Sequence, residues 1–235
     1  MKPKKFEPPN VKAVLASLER LGSRREREGL ARYGIVARKA FGVPMRAMQS
    51  LAKDLGRDHN LAQALWETGW YEARTVAAFV DELERVTAAQ MDRWCRGFDN
   101  WAICDTVCFN LFDRTPQAYK KVEQWSRRRE EFVKRAAFAL MACLALHDKS
   151  AGDEKFAKLL PLIEREAGDE RNFVKKGVSW ALRLIGRRSP DLNVRAVAVS
   201  RRLLESPDAA ARWIGKGALR ELTSAAVLRA VARKQ

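Results

Sequence analysis

Apolar residues recur along this chain at intervals of three and four. Val11, Val14, Leu15, Leu18 and Leu21 share one helical face before Gly22 and Ser23 interrupt it. A charged turn, RREREGL, then leads to Tyr33, and the helical pattern breaks again near Gly42 and Pro44. The spacing predicts helices over 45–56, 58–68 and 70–85, the last burying Val76, Phe79, Val80 and Leu83. It predicts more over 88–96, 100–112, 116–126, 130–147, 153–167, 171–187, 191–205, 208–214 and 216–233. No segment alternates with period two, so no sheet is expected and the fold class is all-α. Residues 1–10 hold three lysines and three prolines without apolar periodicity and read as a flexible basic tail ahead of a single domain over 11–235.

The helices are not independent of one another. Phe132-Val133-Lys134-Arg135 recurs 41 residues later as Phe173-Val174-Lys175-Lys176, and both copies open a helix after an acidic, turn-like stretch. A period of that size belongs to HEAT or armadillo units, which stack helix pairs to bury a core that no single unit could bury. The expectation is an α-solenoid in which Arg135 and Lys176 project in the same direction from neighbouring repeats and contribute to a concave basic face. Trp66, Trp70, Trp94, Trp125 and Trp213 are most economically read as packing between repeats.

Charge narrows the partner. Lys and Arg number 45 against 29 Asp and Glu, a formal net charge of +16, which points first to a polyanion. The excess is uneven, +5 over residues 1–120 (20 basic, 15 acidic) and +11 over 121–235 (25 basic, 14 acidic). Arg127, Arg128 and Arg129, with Lys134, Arg135, Lys175 and Lys176, are candidate phosphate contacts, the alternative being ordinary solvated helix surface. No apolar run is long enough to span a membrane and no signal-peptide pattern opens the sequence, so a soluble cytoplasmic protein is expected. Cys104 and Cys108 share a helical face, but without a CxxC pair or nearby histidine they read as buried free thiols, and no metal is expected. Cofactor fingerprints are missing too: there is no phosphate-cradling glycine loop, dinucleotide motif or HExxH, and no cofactor is expected.

Candidate chemistry concentrates in Phe98 to Cys108, FDNWAICDTVC. In a helix Trp101 and Asp105 stand i,i+4 on one face, and Asp105 is flanked by Ile103, Cys104, Val107 and Phe109. A carboxylate in such company either cross-links two helices or has a chemical role.

With these residues in view the chain resembles the AlkD-type DNA alkylation repair glycosylases. The resemblance runs from Ala31-Arg32-Tyr33 and Phe41-Gly42-Val43 through Leu65-Trp66-Glu67 with Glu72, Trp101-x-x-x-Asp105 and Arg135-Ala136-Ala137. It continues through Phe173-Val174-Lys175-Lys176, Trp180-Ala181-Leu182-Arg183 and Pro190-Asp191. It implies HEAT-like repeats, with Asp105 as the catalytic carboxylate, Trp101 and Trp180 flanking the damaged nucleotide, and Arg135 gripping the backbone beside it. Tyr33 looks like the family's further aromatic contact, with Lys176 and Arg183 in the DNA-binding set. Asn100 and Ala102 stand where the family often has an aromatic residue and an acid.

The implied activity is excision of N3- and N7-alkylated purines from duplex DNA; a solenoid with a single concave face is in addition expected to work as a monomer. Such a base is already cationic, so the barrier lies mostly in charge developing at the sugar. A fixed carboxylate stabilises that oxocarbenium-like carbon or orients water toward it, and a nearby Arg135 is expected to keep Asp105 ionised by lowering its pKa. A different class remains open from the residues alone: a non-catalytic HEAT-like module that binds DNA or RNA backbone.

Overall fold

The computed structural model describes residues 10–234. Apart from Asn10, the stretch read as a tail lies outside the described residues, and Asn10 caps the first helix by accepting from the Ala13 N–H at 2.9 Å. All regular secondary structure among the described residues is helical, with no strand. They divide into two compact units, one ending at Trp94 and the other beginning at Cys95.

The first unit contains α1 (Val11–Leu21), α2 (Arg24–Arg32), α3 (Met45–Leu55), α4 (His59–Glu67) and α5 (Tyr71–Val80), followed by most of α6 (Ala88–Arg96). The segment read as a charged turn is a helix. Ser23 Oγ accepts from the Glu26 N–H, and Arg24 pairs with Glu28 at 2.6 Å across one turn, so local capping and pairing replace the missing apolar stripe. Gly42 closes the following loop at φ +79°, where a Cβ would lie 2.4 Å from Arg27 N, so only glycine lets the loop approach α2. Fully buried Glu72 on α5 accepts from the N–H groups of Phe41, Gly42 and Val43 at 3.0, 2.7 and 3.3 Å and fixes that loop. Burial and the Glu72 charge push the neighbouring Tyr71 phenol up to about 12. Trp66 stacks on Trp94 at 4.2 Å and Trp70 on Phe41 at 3.8 Å, as packing tryptophans should.

The second unit is a row of helix pairs. It comprises α7 (Trp101–Asn110), α8 (Ala118–Ser126), α9 (Glu131–His147), α10 (Asp153–Ala157), α11 (Leu160–Glu166), α12 (Asn172–Gly186), α13 (Pro190–Leu204), α14 (Ala209–Leu222) and α15 (Ala225–Ala232). Helices α7, α9, α12 and α14 run parallel, because early residues meet early residues and late meet late. Cys104 and Cys108 lie against the carbonyls of Phe132 and Ala136, the Phe132 and Phe173 rings are 5.5 Å apart, and Arg183 reaches Glu221 at 2.7 Å. Helices α8, α11 and α13 pack beside α9, α12 and α14. The 41-residue repeat is thus real in three dimensions, since α9 begins at Glu131 and α12 at Asn172.

Three predicted boundaries move. The helix expected over 70–85 ends at Val80, and Leu83, expected to be buried in it, lies half-buried in a separate turn over Leu83–Arg85. The helix expected over 153–167 divides after Ala157, with Pro161 entering the first turn of α11, where its missing N–H costs nothing. The break expected at Gly215 does not occur, and α14 continues to Leu222. Gly215 instead serves packing: a Cβ there would fall 2.6 Å from the Ser200 carbonyl of α13, so the glycine lets the two helices touch.

Candidate functional site

Helix α7 has hardly any polar face, and Asp105 is its one charged residue. Asn100 starts it: the side chain is buried and accepts from the Ile103 N–H at 3.0 Å, so this departure from the family pattern supplies an N-cap. Trp101 and Ala102 follow as the first two helical residues, and Asp105 comes one turn after the indole.

Arg135, fifth residue of α9, answers Asp105. Its Nε donates to Oδ1 at 2.9 Å and its Nη2 to Oδ2 at 2.6 Å, a bidentate pair, while Nη1 donates to the Phe173 carbonyl of α12 at 2.7 Å. The guanidinium also lies 5.9 Å from the centroid of the Trp101 ring. Side-chain exposure is 7% for Arg135 and 19% for Asp105, so the pair is largely withdrawn from water but not sealed. At Gly177 of α12 a Cβ would make ordinary contact, 3.6 Å from Arg135 Cγ, so the approach of α12 to the pair does not depend on the glycine.

The electrostatics differ from expectation in one respect. Burial pushes the Asp105 carboxyl above its ordinary value, and the charge and hydrogen bonds of Arg135, which act to lower it, do not fully offset that cost. On the arginine the balance is reversed: burial works against the guanidinium, but Asp105 outweighs it and raises its pKa. The pair holds its charges through geometry rather than solvation.

The other expected residues are distributed as follows. Trp180 is half-buried on α12, one turn beyond exposed Lys176. Lys175 places its ammonium 5.1 Å from the centroid of the Trp213 ring on α14. Lys134 is held by Glu166 at 2.6 Å and Asp169 at 3.3 Å, and Arg183 by Glu221. Arg127 and Arg128 are exposed between α8 and α9, with Arg128 bonded to Glu130. Tyr33 belongs to the first unit and is 71% exposed at the end of α2. Sequence reasoning missed the Phe173 carbonyl, which accepts from Arg135, and Arg171, which bridges Asp169 and the Arg129 carbonyl. A position four residues before the first lysine of the repeat was the only hint of Arg171.

The lysine cluster makes a pH prediction. Lys134 and Arg165 outweigh burial and lower the Glu166 pKa, and the hydrogen bond from Arg171 leads in lowering that of Asp169. Carboxylates lowered on folding contribute stability that is fully present above their ordinary values of 4.5 and 3.8 and lost as pH falls through the folded ones. Chemical denaturation of wild type and a Glu166→Gln/Asp169→Asn variant is expected to show a stability gap at neutral pH that closes below about pH 4.

Fold and site together define a HEAT-like helical repeat protein with a buried carboxylate–guanidinium pair beside an indole. The profile of a family described as DNA alkylation repair enzyme matches residues 14–222, nearly the whole chain, and the chain belongs to that family. A solved structure described as a new family of proteins related to the HEAT-like repeat DNA glycosylases, with affinity for branched DNA structures, shares the fold. It aligns with a TM-score of 0.74 at 21% identity, over 90% of this chain and 95% of its own. No curated protein sequence matches. Among the described residues no helix is long and apolar enough to cross a membrane, and no group of three or more His, Cys, Asp or Glu side chains could hold a metal ion.

Proposed function

We propose that this protein is a monofunctional DNA glycosylase that hydrolyses the N-glycosidic bond of N3- and N7-alkylated purines in duplex DNA. The observation that carries the reading is Asp105, a carboxylate on an otherwise uncharged helix, fixed by Arg135 and set one turn from Trp101. The alkylated base leaves with the bonding electron pair, which neutralises its charge, and positive charge develops at C1′. The Asp105 carboxylate stabilises that charge and accepts a hydrogen bond from the incoming water, whose oxygen bonds to C1′ and whose proton is released. Arg135 acts as a positioning residue. Trp101 and Trp180 offer indole faces to the cationic nucleotide, each contact contributing about 0.5–2 kcal/mol. Exposed Lys176 and Arg127, with Lys175 and Tyr33, contact the DNA. Lys134, Arg128 and Arg183 do so only by giving up the carboxylates that hold them.

A second reading is a non-catalytic DNA-binding module. It is favoured by Arg135 occupying both oxygens of Asp105, which reduces the field that carboxylate offers a substrate, and by the affinity for branched DNA reported of the structural neighbour. Release of free 7-methylguanine and 3-methyladenine from methylated DNA, separated by chromatography and detected by mass after subtracting spontaneous depurination, decides between them. Release supports the glycosylase. Salt-dependent binding without release supports the module.

A further inference from the structure

The geometry points to a second contact with nucleic acid: Trp213, on the helix beyond the Asp105 site, stacks against an unpaired base of a single-stranded segment. The parallel helices carry their distinctive residues in register. Asp105, Arg135, Lys176 and Trp213 are each the fifth residue of their helix, in α7, α9, α12 and α14. Successive members of the row are linked by the Asp105–Arg135 pair, by Arg135 on the Phe173 carbonyl, and by Lys175 over the Trp213 ring. Trp213 therefore lies on the same row of helix starts as the candidate catalytic carboxylate.

Its surroundings do not resemble packing. Trp213 is 49% exposed, whereas Trp66, Trp94 and Trp125 are buried. The position one turn ahead on its own helix is Gly217, where a Cβ would meet nothing within 4 Å, so the surface of α14 is open there. Lys216 and Arg220, three and seven residues on, are exposed along the same side of α14, and α12 from Asn172 to Gly186 contains three basic residues and no acid. A half-exposed indole with Lys175 over its ring and Lys216 and Arg220 exposed along the same side of its helix suits a polyanion whose aromatic rings are accessible. A base inside a duplex has both faces covered by its neighbours, whereas an unpaired base has a face to offer, and stacking on aromatic side chains with lysines on the phosphates is the usual recognition of single strands.

The inference rests on the reading of this protein as DNA-binding, and its test separates the two. Binding is measured by fluorescence anisotropy on a blunt duplex and on the same duplex extended by a short tail of unpaired thymines. Wild type is expected to prefer the tailed DNA. Trp213→Ala is expected to bind the tailed DNA about tenfold more weakly and the blunt duplex unchanged, with Trp213→Tyr retaining most of the preference. Gly217→Leu, which places a branched side chain one turn from the indole at a position where a Cβ meets nothing within 4 Å, is expected to weaken the tailed complex in the same direction. Equal loss on both DNAs would mean a duplex backbone contact and overturn the proposal, as would no loss on either. Failure of wild type to bind any DNA would overturn the DNA reading along with it, whereas failure to release damaged bases would leave the Trp213 result standing.

Discussion

Asp105→Asn is expected to lower release of 7-methylguanine and 3-methyladenine by roughly 10²-fold to 10³-fold while leaving DNA affinity within a few-fold of wild type. The two side chains have nearly the same shape. What the substitution removes is the negative charge that meets the developing cation at C1′, an interaction made only as the bond breaks, so the loss falls on the chemical step rather than on binding. Burial pushes the Asp105 carboxyl above its ordinary value of 3.8, so the acid limb of wild-type activity is expected to lie above that value. The limb is expected to vanish in the Asn variant. Single-turnover base release against pH, with enzyme in excess and spontaneous depurination subtracted, measures both. Unchanged release would remove Asp105 from the mechanism. A loss confined to affinity would make it a binding residue.

The parts of this molecule legible in the sequence are those written in local periodicity. Apolar spacing placed α9 and α12 nearly to the residue, and the Phe-Val-Lys repeat gave their 41-residue register. Helix α2 escaped because it has no buried face: a serine cap and an Arg–Glu pair sustain it, and neither produces an apolar stripe. Gly215 was misread for the converse reason, since a glycine in a helical pattern breaks the helix in one context and admits a neighbour in another, and only the position of Ser200 decides. At the site, the resemblance brings Asp105 and Arg135 near each other, but their bidentate geometry is not written in the sequence, because the two residues lie 30 positions apart. Separations of 32 and 38 positions likewise hide Glu166 from Lys134 and Glu221 from Arg183, turning two presumed phosphate contacts into members of ion pairs. Trp213 sits at ordinary helical spacing, which reads as packing between repeats. Its exposure depends on what α12 leaves uncovered, which no window of sequence contains.

The largest effect on stability is expected from Arg135→Ala. Removing the guanidinium leaves the Asp105 carboxylate partly buried with no counter-charge, and takes the Nη1 donor from the Phe173 carbonyl. Breaking a buried pair from one side costs about 3–5 kcal/mol, which for a chain of this size lowers the melting temperature by on the order of 10 °C. The orphaned charge, more than the lost packing, should account for most of that. Asp105→Ala/Arg135→Ala is therefore expected to be more stable than Arg135→Ala alone, because the desolvated carboxylate is gone, whereas additive damage would make it less stable. Arg135→Lys should fall between wild type and the alanine variant: a lysine keeps the charge but lacks the planar fork that meets both oxygens of Asp105 and the Phe173 carbonyl at once. Thermal and urea denaturation of the four proteins at neutral pH measures the cycle. A double variant no more stable than Arg135→Ala would mean that the arginine stabilises α7, α9 and α12 through its packed stem, and that the charge pairing contributes little to holding the site together.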